Sequence, residues 1–206
     1  MNLLLLSISL GAVPEFLSEC VGTLTRQLRL GYISDAAEGM PFAERELHGV
    51  RDLGHEVMEI RARDADADAF AAKLSTCDAV YVAGGETFVL LEALRSNGTG
   101  EVLAQRVRAG LPYIGCSAGS VIAGPSITPV EMLDDRTLAV GLTSDEGLGL
   151  IDRVIIPHAD GKIPPYPIAL IERIISTYGE QFPLLTLNDD QALRVGPTGA
   201  RVIPSP

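Results

Sequence analysis

The sequence predicts an α/β fold with a doubly wound, mostly parallel sheet and a strand-rich C-terminal part. Three observations predict it: short apolar runs recur along the chain, segments of helical period separate them, and strand patterns dominate after Gly119. Several apolar runs are hydrophobic on both faces, which is typical of parallel strands covered by helices on both sides. Alternating strands and helices are therefore expected to wind around one sheet through right-handed crossovers.

The first part of the chain contains five apolar runs that we predict as strands. Each is bounded by glycine, proline or aspartate, and they span residues 3–9, 30–36, 55–60, 78–85 and 111–119. Segments of helical period lie between them, at residues 15–29, 42–54, 87–98 and 101–110. An Asp/Ala-rich patch at residues 61–73 is interpreted as a solvated helix entry.

The last part of the chain is predicted to add further strands. They span residues 137–141, 153–158, 184–189, 192–196 and 200–203. One helical segment, residues 167–179, interrupts them. We expect the final strands to form an antiparallel extension at one edge of the sheet.

Composition limits the classes of partner. The chain has 206 residues, of which 47% are hydrophobic, and no linker or repeat divides it. This length favours a single domain, residues 1–206, with a substantial core. The formal net charge of −11 repels phosphate backbones, so we expect no nucleic-acid partner.

Cysteine usage and the N-terminus predict a cytoplasmic location. The three cysteines, Cys20, Cys77 and Cys116, form no CxxC motif and suit a reducing compartment. The apolar start of the chain carries no basic residue before Arg26, so we interpret it as a first strand and not as a signal peptide. It is also too short to span a bilayer, and we expect no membrane partner.

A serine between two glycines follows the fifth predicted strand. The stretch from Gly115 to Gly119 fits G-x-S-x-G with Ser117 at its centre. A nucleophile elbow needs a strand, a turn without bulky neighbours and then a helix, and this context supplies all three. The alternative is a tight turn in the core. Cys116 is off-centre in the motif, and we interpret it as a small buried apolar residue.

A serine nucleophile needs a base and a group that orients the base. His158 ends a predicted strand, whereas His48 and His55 lie far in sequence from any predicted strand end. The alternative for His158 is a histidine that occupies a turn and has no catalytic role. Carboxylates that follow the serine in sequence are Glu131, Asp134 and Asp135.

Two consecutive glycines, Gly84 and Gly85, end the fourth predicted strand. Successive glycines let backbone N–H groups approach a ligand closely and point at an anion. Beside the elbow, the N–H groups of Gly85 and Ala118 are candidates for an oxyanion hole. The alternative is a plain strand-to-helix turn capped by Thr87.

Together these motifs resemble the serine peptidase family of peptidase E (aspartyl dipeptidase) and cyanophycinase. The resemblance rests on "GGETFVLL", the elbow "GCSAGSVIAGPSI", the dipeptide "EM" and the strand end "PH". It implies a flavodoxin-like fold similar to the class I glutamine amidotransferase domain, and a Ser-His-acid triad acting on short peptides from their amino end. The implied residues are Ser117 as nucleophile, His158 as base, Glu131 as acid, and Gly85 and Ala118 as oxyanion donors. We therefore expect Glu131, and not Asp134 or Asp135, to orient His158. Neither a metal nor a cofactor is expected.

Two departures from the family pattern concern the substrate. Glu86 stands where the family commonly has asparagine, and Leu170 stands where aspartyl dipeptidases carry the arginine that holds the substrate aspartate. We therefore expect weak preference for an N-terminal aspartate, because a buried carboxylate needs a charge-assisted partner. Candidate substrate-binding residues are Glu86, Asp160, Tyr166 and Arg173, with Tyr166 as a pocket wall.

Two other functions remain open from sequence. One is a non-catalytic binding module of amidotransferase-like fold, and the other is an esterase of α/β-hydrolase type. The hydrolase fold usually places its acid farther from the serine and its histidine nearer the chain end. We expect a monomer or a homodimer.

Overall fold

The computed structural model describes residues 1–22 and 26–206 and confirms the predicted α/β fold. A seven-stranded sheet has the order β3-β2-β4-β5-β1-β8-β9. Its strands are β1 (Leu3–Leu6), β2 (Arg29–Ile33), β3 (Glu56–Ile60), β4 (Ala79–Val82), β5 (Tyr113–Cys116), β8 (Gln191–Gly196) and β9 (Gly199–Pro204). The first five of these run parallel to one another. A separate parallel pair consists of β6 (Val154–Ile156) and β7 (Leu184–Thr186).

Helices cover both faces of the large sheet, as the apolar runs predict. The helices are α1 (Val13–Val21), α2 (Ala43–Arg51), α3 (Ala67–Leu74), α4 (Thr87–Ser96), α5 (Thr99–Arg108), α6 (Ala118–Val121) and α7 (Ile168–Tyr178). Helices α1 and α2 pack against one hydrophobic cluster. Helices α3, α4, α5 and α7 pack against the other.

Strand β1 shows why a continuous apolar run forms a central strand here. Leu3 and Leu5 point into one cluster, and Leu4 and Leu6 point into the other. All four side chains are fully buried. Because burying a leucine side chain contributes roughly 2 kcal/mol, a strand with two apolar faces is most stable in the middle of the sheet.

The C-terminal strands form the expected antiparallel extension, with one error in the prediction. Strand β8 pairs antiparallel with β1, and β9 pairs antiparallel with β8. The predicted strand at 137–141 is wrong, because a 3₁₀ turn occupies Arg136–Leu138. Asp135 accepts a hydrogen bond from the Thr137 N–H and caps this turn, and Val140 is 92% exposed.

The predicted helix at 15–29 starts earlier and ends earlier than expected. Helix α1 spans Val13–Val21, with a proline in its first turn, and residue 29 already belongs to β2. Residues 23–25 of the predicted helix lie outside the described part of the chain. No helix within the described ranges is long and apolar enough to cross a membrane.

Candidate active site

Sequence-distant residues converge at the carboxyl ends of the strands, where α/β sheets bind ligands. Ser7 follows β1, the Gly84–Gly85 pair follows β4, and Ser117 follows β5. His158 follows β6 in the same way. The topology thus gathers the candidate residues at one edge of the molecule.

Ser117 occupies the sharp turn between β5 and α6. Its φ is 46° and its ψ is −108°, a conformation that L-residues rarely adopt. A Cβ on Gly115 would lie 2.5 Å from the Gly119 carbonyl oxygen, and one on Gly119 would lie 2.2 Å from that of Val82. The glycines of G-x-S-x-G are therefore required by close backbone packing around the serine, as in a nucleophile elbow.

His158 lies beside Ser117, and hydrogen bonds hold both its side chain and its backbone. Its Nε2 is 3.0 Å from the Ser117 Oγ. Its backbone has a φ of 58°, and its N–H donates to the Ser7 Oγ at 2.8 Å. The histidine is only 4% exposed, and this burial lowers its pKa below 6.5, although Asp189 opposes the shift. The neutral imidazole that a general base needs is thereby favoured.

Asp189 orients His158, so the prediction that Glu131 does so is wrong. The Asp189 Oδ1 is 2.7 Å from the His158 Nδ1. Because a carboxylate oxygen accepts, Nδ1 carries the proton and Nε2 is free to accept from Ser117. Glu131 is exposed and accepts a hydrogen bond from the Tyr178 hydroxyl instead.

A sequence signal for Asp189 does exist. Asp189 ends the predicted strand at 184–189, just as His158 ends the predicted strand at 153–158. In the structure β6 and β7 are parallel neighbours, and the Ala159 N–H donates to the Leu187 carbonyl at 2.9 Å. The two strand ends are therefore adjacent, and their polar residues meet.

The glycine pair lies beside the elbow with one free amide. A Cβ on Gly84 would lie 3.4 Å from the Ser117 Cβ. The Glu86 N–H donates to the Ala36 carbonyl at 3.0 Å, and the Thr87 N–H donates to the Asp134 Oδ2 at 3.1 Å. Among the described residues, the Gly85 N–H has no protein acceptor.

The conformation at this turn requires glycine. Gly85 has a φ of 133°, and a Cβ there would lie 1.9 Å from the Ala36 carbonyl oxygen. Ala118 begins the short helix α6 directly after Ser117, so its N–H is one of the unpaired amides of a helix start. The alternative of a turn capped by Thr87 is not what the structure shows, because Glu86 occupies the N-cap position and makes no side-chain cap.

A narrow cavity opens in front of the serine. It is lined by Thr87, Ser117, Val121, Val130, Leu133, Asp134, Pro157, His158 and Tyr166. The Tyr166 ring stacks on the His158 ring, with 5.0 Å between centroids and 8° between planes. Tyr166 is thus a wall of this cavity.

The cavity has a negative end. Burial, together with the nearby charge of Glu86, raises the pKa of Asp134 to about 6, against the hydrogen bonds from Thr87. Burial, followed by the charges of Asp134 and Glu86, raises the pKa of Tyr166 to about 12. The Glu86 carboxylate itself accepts from the Asp135 N–H at 3.1 Å. The Asp134 carboxyl lines this end of the cavity, and the Glu86 carboxylate adds a nearby negative charge without lining it, so this end is favourable for a cation.

Three candidate substrate-binding residues, Glu86, Asp160 and Arg173, do not line the cavity. Asp160 forms an ion pair with Lys162 at 2.7 Å, and this pair lowers the Asp160 pKa against the effect of burial. Arg173 is exposed on α7. Leu170 packs against the hydrophobic core. Within the described residues, no group of three or more His, Cys, Asp or Glu side chains is placed to hold a metal ion.

Known proteins resemble this chain in both sequence and structure. The sequence profile of Peptidase family S51 matches residues 3–203. An uncharacterized peptidase of Listeria innocua is 31% identical over 162 residues, 79% of this chain and 76% of that protein. A peptidase E of Streptomyces coelicolor is 37% identical over 163 residues, 77% of this chain and 64% of the relative. The crystal structure of a candidate peptidase E from Listeria monocytogenes matches with a TM-score of 0.85 at 27% identity, covering 98% of both chains.

Proposed function

We propose that this chain, which belongs to peptidase family S51, is a serine-type peptidase that hydrolyses short peptides from their amino end. The observation that carries the proposal is the continuous hydrogen-bonded series from Ser117 through His158 to Asp189, at 3.0 and 2.7 Å. Family membership makes the chain a peptidase, and this series supplies a nucleophile, a base and an orienting acid in one place.

The geometry supports acyl transfer through the serine. The Ser117 Oγ attacks the scissile carbonyl carbon while the His158 Nε2 takes the hydroxyl proton. His158 then gives that proton to the leaving amine, and a water molecule hydrolyses the acyl-enzyme by the reverse proton path. Asp189 holds the Nδ1–H and stabilises the imidazolium that forms in each step.

The backbone around the serine supports stabilisation of the oxyanion. The candidate donors are the N–H groups of Gly85, in the glycine turn next to the elbow, and of Ala118, at the start of a helix. Both amides are fixed by the backbone, so they need no reorganisation as charge develops on the carbonyl oxygen.

The negative end of the cavity supports recognition of a free amino terminus. Asp134 lines the cavity with Ser117 and His158, and Glu86 adds a second negative charge. A substrate ammonium group placed there would make charge-assisted hydrogen bonds and would relieve the repulsion between the two carboxyl groups.

Chromogenic amides test the proposal. We expect amino-acyl amides with a free amine to be cleaved, N-acetylated counterparts to be resistant, and Ser117→Ala to be inactive while remaining folded. Loss of a triad nucleophile typically costs about 10⁴–10⁶ in rate. Unchanged turnover by Ser117→Ala would overturn the serine mechanism, and absence of both cleavage and phosphonate labelling at Ser117 would favour a binding module. Hydrolysis of esters but not amides would favour an esterase.

The role of the acidic end has its own test. Asp134→Asn should raise KM for free-amine substrates, whereas Asp152→Asn should not, since Asp152 has a side chain 92% exposed and makes no contact with the cavity. An equal KM in the wild type and Asp134→Asn would remove Asp134 from amine recognition.

A further inference from the structure

Glu46 places a carboxylate behind the glycine turn, outside the cavity. Its Oε1 accepts a hydrogen bond from the Gly84 N–H at 3.0 Å and another from the Tyr81 hydroxyl at 2.9 Å. Its Oε2 lies 3.6 Å from the place where a Cβ on Gly84 would stand. Glu46 thus connects α2 to the turn that follows β4.

The orientation of this side chain is costly for the fold. Glu44 and Arg45, its neighbours on α2, are exposed, whereas Glu46 turns inward and burial raises its pKa. Among the described residues, no lysine, arginine or histidine contributes a compensating charge to it. A partly buried carboxyl without a cation is tolerated where its hydrogen bonds are made, and the Glu46 carboxyl accepts from Gly84 and Tyr81, with the Cys116 thiol as a further partner.

The partner hydroxyl is itself rigidly held. Tyr81 is fully buried in β4, and its ring stacks on Tyr32 with 5.4 Å between centroids and 11° between planes. The hydroxyl therefore fixes the Glu46 carboxylate, and the carboxylate in turn fixes the Gly84 amide. Glycine has the largest backbone freedom of any residue, so a turn with two consecutive glycines gains most from such an anchor.

Two N–H groups of the turn donate to protein acceptors, which leaves the N–H of Gly85 available to a ligand. The Gly84 N–H points to Glu46, and the Glu86 N–H points to the Ala36 carbonyl. The Gly85 N–H lies between these two and has no protein acceptor within the described residues. Its direction is set by the peptide units on both sides.

We propose that Glu46 is a positioning residue that holds the Gly84–Gly85 turn so that the Gly85 N–H faces the developing oxyanion. This inference rests on the proposed serine mechanism. Because the oxyanion exists in the transition state and not in the bound substrate, loss of Glu46 should lower kcat and leave KM almost unchanged.

Substitutions that differ only in hydrogen bonding test the inference. Glu46→Leu keeps the volume but loses the acceptor, Glu46→Gln retains an acceptor oxygen, and Glu44→Ala is the exposed control on the same helix. We expect kcat to fall about 10²-fold in Glu46→Leu, as for loss of an oxyanion donor. Glu46→Gln should recover most of the activity, and Glu44→Ala should behave as the wild type.

A second measurement separates positioning from general destabilisation. An aminoacyl aldehyde with a free amine forms a tetrahedral adduct with the serine and needs the oxyanion site, whereas the product released as the leaving amine does not. Under the proposal, Glu46→Leu weakens aldehyde inhibition by the same factor as kcat and leaves product inhibition unchanged. If Glu46→Leu does not fold, Glu46→Ala and Tyr81→Phe are measured against the same two inhibitors.

The outcomes distinguish the inference from the proposed function. A wild-type enzyme that does not depend on Ser117 would contradict the function itself. A Ser117-dependent wild type with an unchanged kcat in the Glu46 variants, or with a change in KM alone, would overturn the role of Glu46 and leave the function intact. Equal loss of aldehyde and product binding would also overturn it.

Discussion

The Ser7 hydroxyl oxygen accepts a hydrogen bond from the His158 backbone N–H at 2.8 Å. The same hydroxyl lies 3.4 Å from the Asp189 Oδ1 and is directed toward it. Ser7 is fully buried, and His158 has the left-handed backbone conformation that a non-glycine residue adopts at a cost. One side chain after β1 therefore supports both the base and the acid of the proposed triad.

We expect Ser7→Ala to destabilise the protein and slow the enzyme. The variant leaves the buried His158 N–H without an acceptor, which costs about 1–3 kcal/mol. Denaturant unfolding and kcat on a free-amine amide measure the two effects. Ser9→Ala is the control, since the Ser9 side chain holds neither His158 nor Asp189. Wild-type kcat in Ser7→Ala would show that the strained backbone of His158 is stable without this bond.

Substitution of Asp189 should lower kcat strongly, whereas substitution of Glu131 should have little effect. Asp189→Asn should lower kcat by about 10³–10⁴, because an amide cannot hold the Nδ1–H tautomer as a carboxylate does. Glu131→Gln should remain close to wild type, because Glu131 is exposed and contacts Tyr178. Steady-state kinetics of the two variants decide between them. A larger loss in Glu131→Gln than in Asp189→Asn would contradict the assignment of Asp189 as the acid that orients His158.

The error over the acid has a physical reason. The sheet could be predicted because apolar alternation is local: β1 shows its two buried faces in four consecutive leucines. The approach of His158 and Asp189 depends on the pairing of β6 with β7, a small parallel sheet formed by segments far apart in sequence. Sequence order favoured Glu131 because it lies between Ser117 and His158, and no local pattern reports which strands become neighbours.

The glycine turn likewise combines a local feature that the sequence shows with a distant contact that it does not show. Gly84 and Gly85 are recognisable from sequence, since paired glycines after a strand indicate close backbone approach. The contact of Gly84 with Glu46 is not recognisable from sequence. The pattern of α2 is typical of an exposed amphipathic helix, and nothing in it distinguishes Glu46 from Glu44. The inward turn of Glu46 follows from the packing of α2 against the hydrophobic cluster that contains Tyr81.

Asp134 should reduce stability at neutral pH. Its pKa is raised to about 6 in the folded chain, from an ordinary value of 3.8. The folded state therefore binds the proton more tightly, and the stability that this contributes is present below about pH 4 and is lost as pH rises through about 6. Asp134→Asn should raise Tm at pH 7–8 by a few degrees, at about 2–4 °C per kcal/mol for a chain of this size.

The pH dependence provides the check on Asp134. The difference in Tm between Asp134→Asn and the wild type should shrink as pH falls from about 6 toward 4, when both side chains are uncharged. Asp152→Asn, at an exposed site, should show no such trend. A constant difference in Tm across this range would mean that ionisation of Asp134 is not its cause.

The cavity should disfavour an N-terminal aspartate. Asp134 and Glu86 already make it negative, Leu170 is packed into the core, and Arg173 is exposed on α7 away from the lining residues. A second carboxylate in the substrate would be desolvated without a cation to pair with, and burying a charge in that way is costly. Alanyl and leucyl amides should therefore have a kcat/KM at least about tenfold above that of the aspartyl amide. Each tenfold step corresponds to about 1.4 kcal/mol of transition-state binding.

Arg173→Ala should leave the kcat/KM of all three amides unchanged. Strong selectivity for the aspartyl amide in the wild type, lost in Arg173→Ala, would show that α7 moves its arginine into the site when substrate binds.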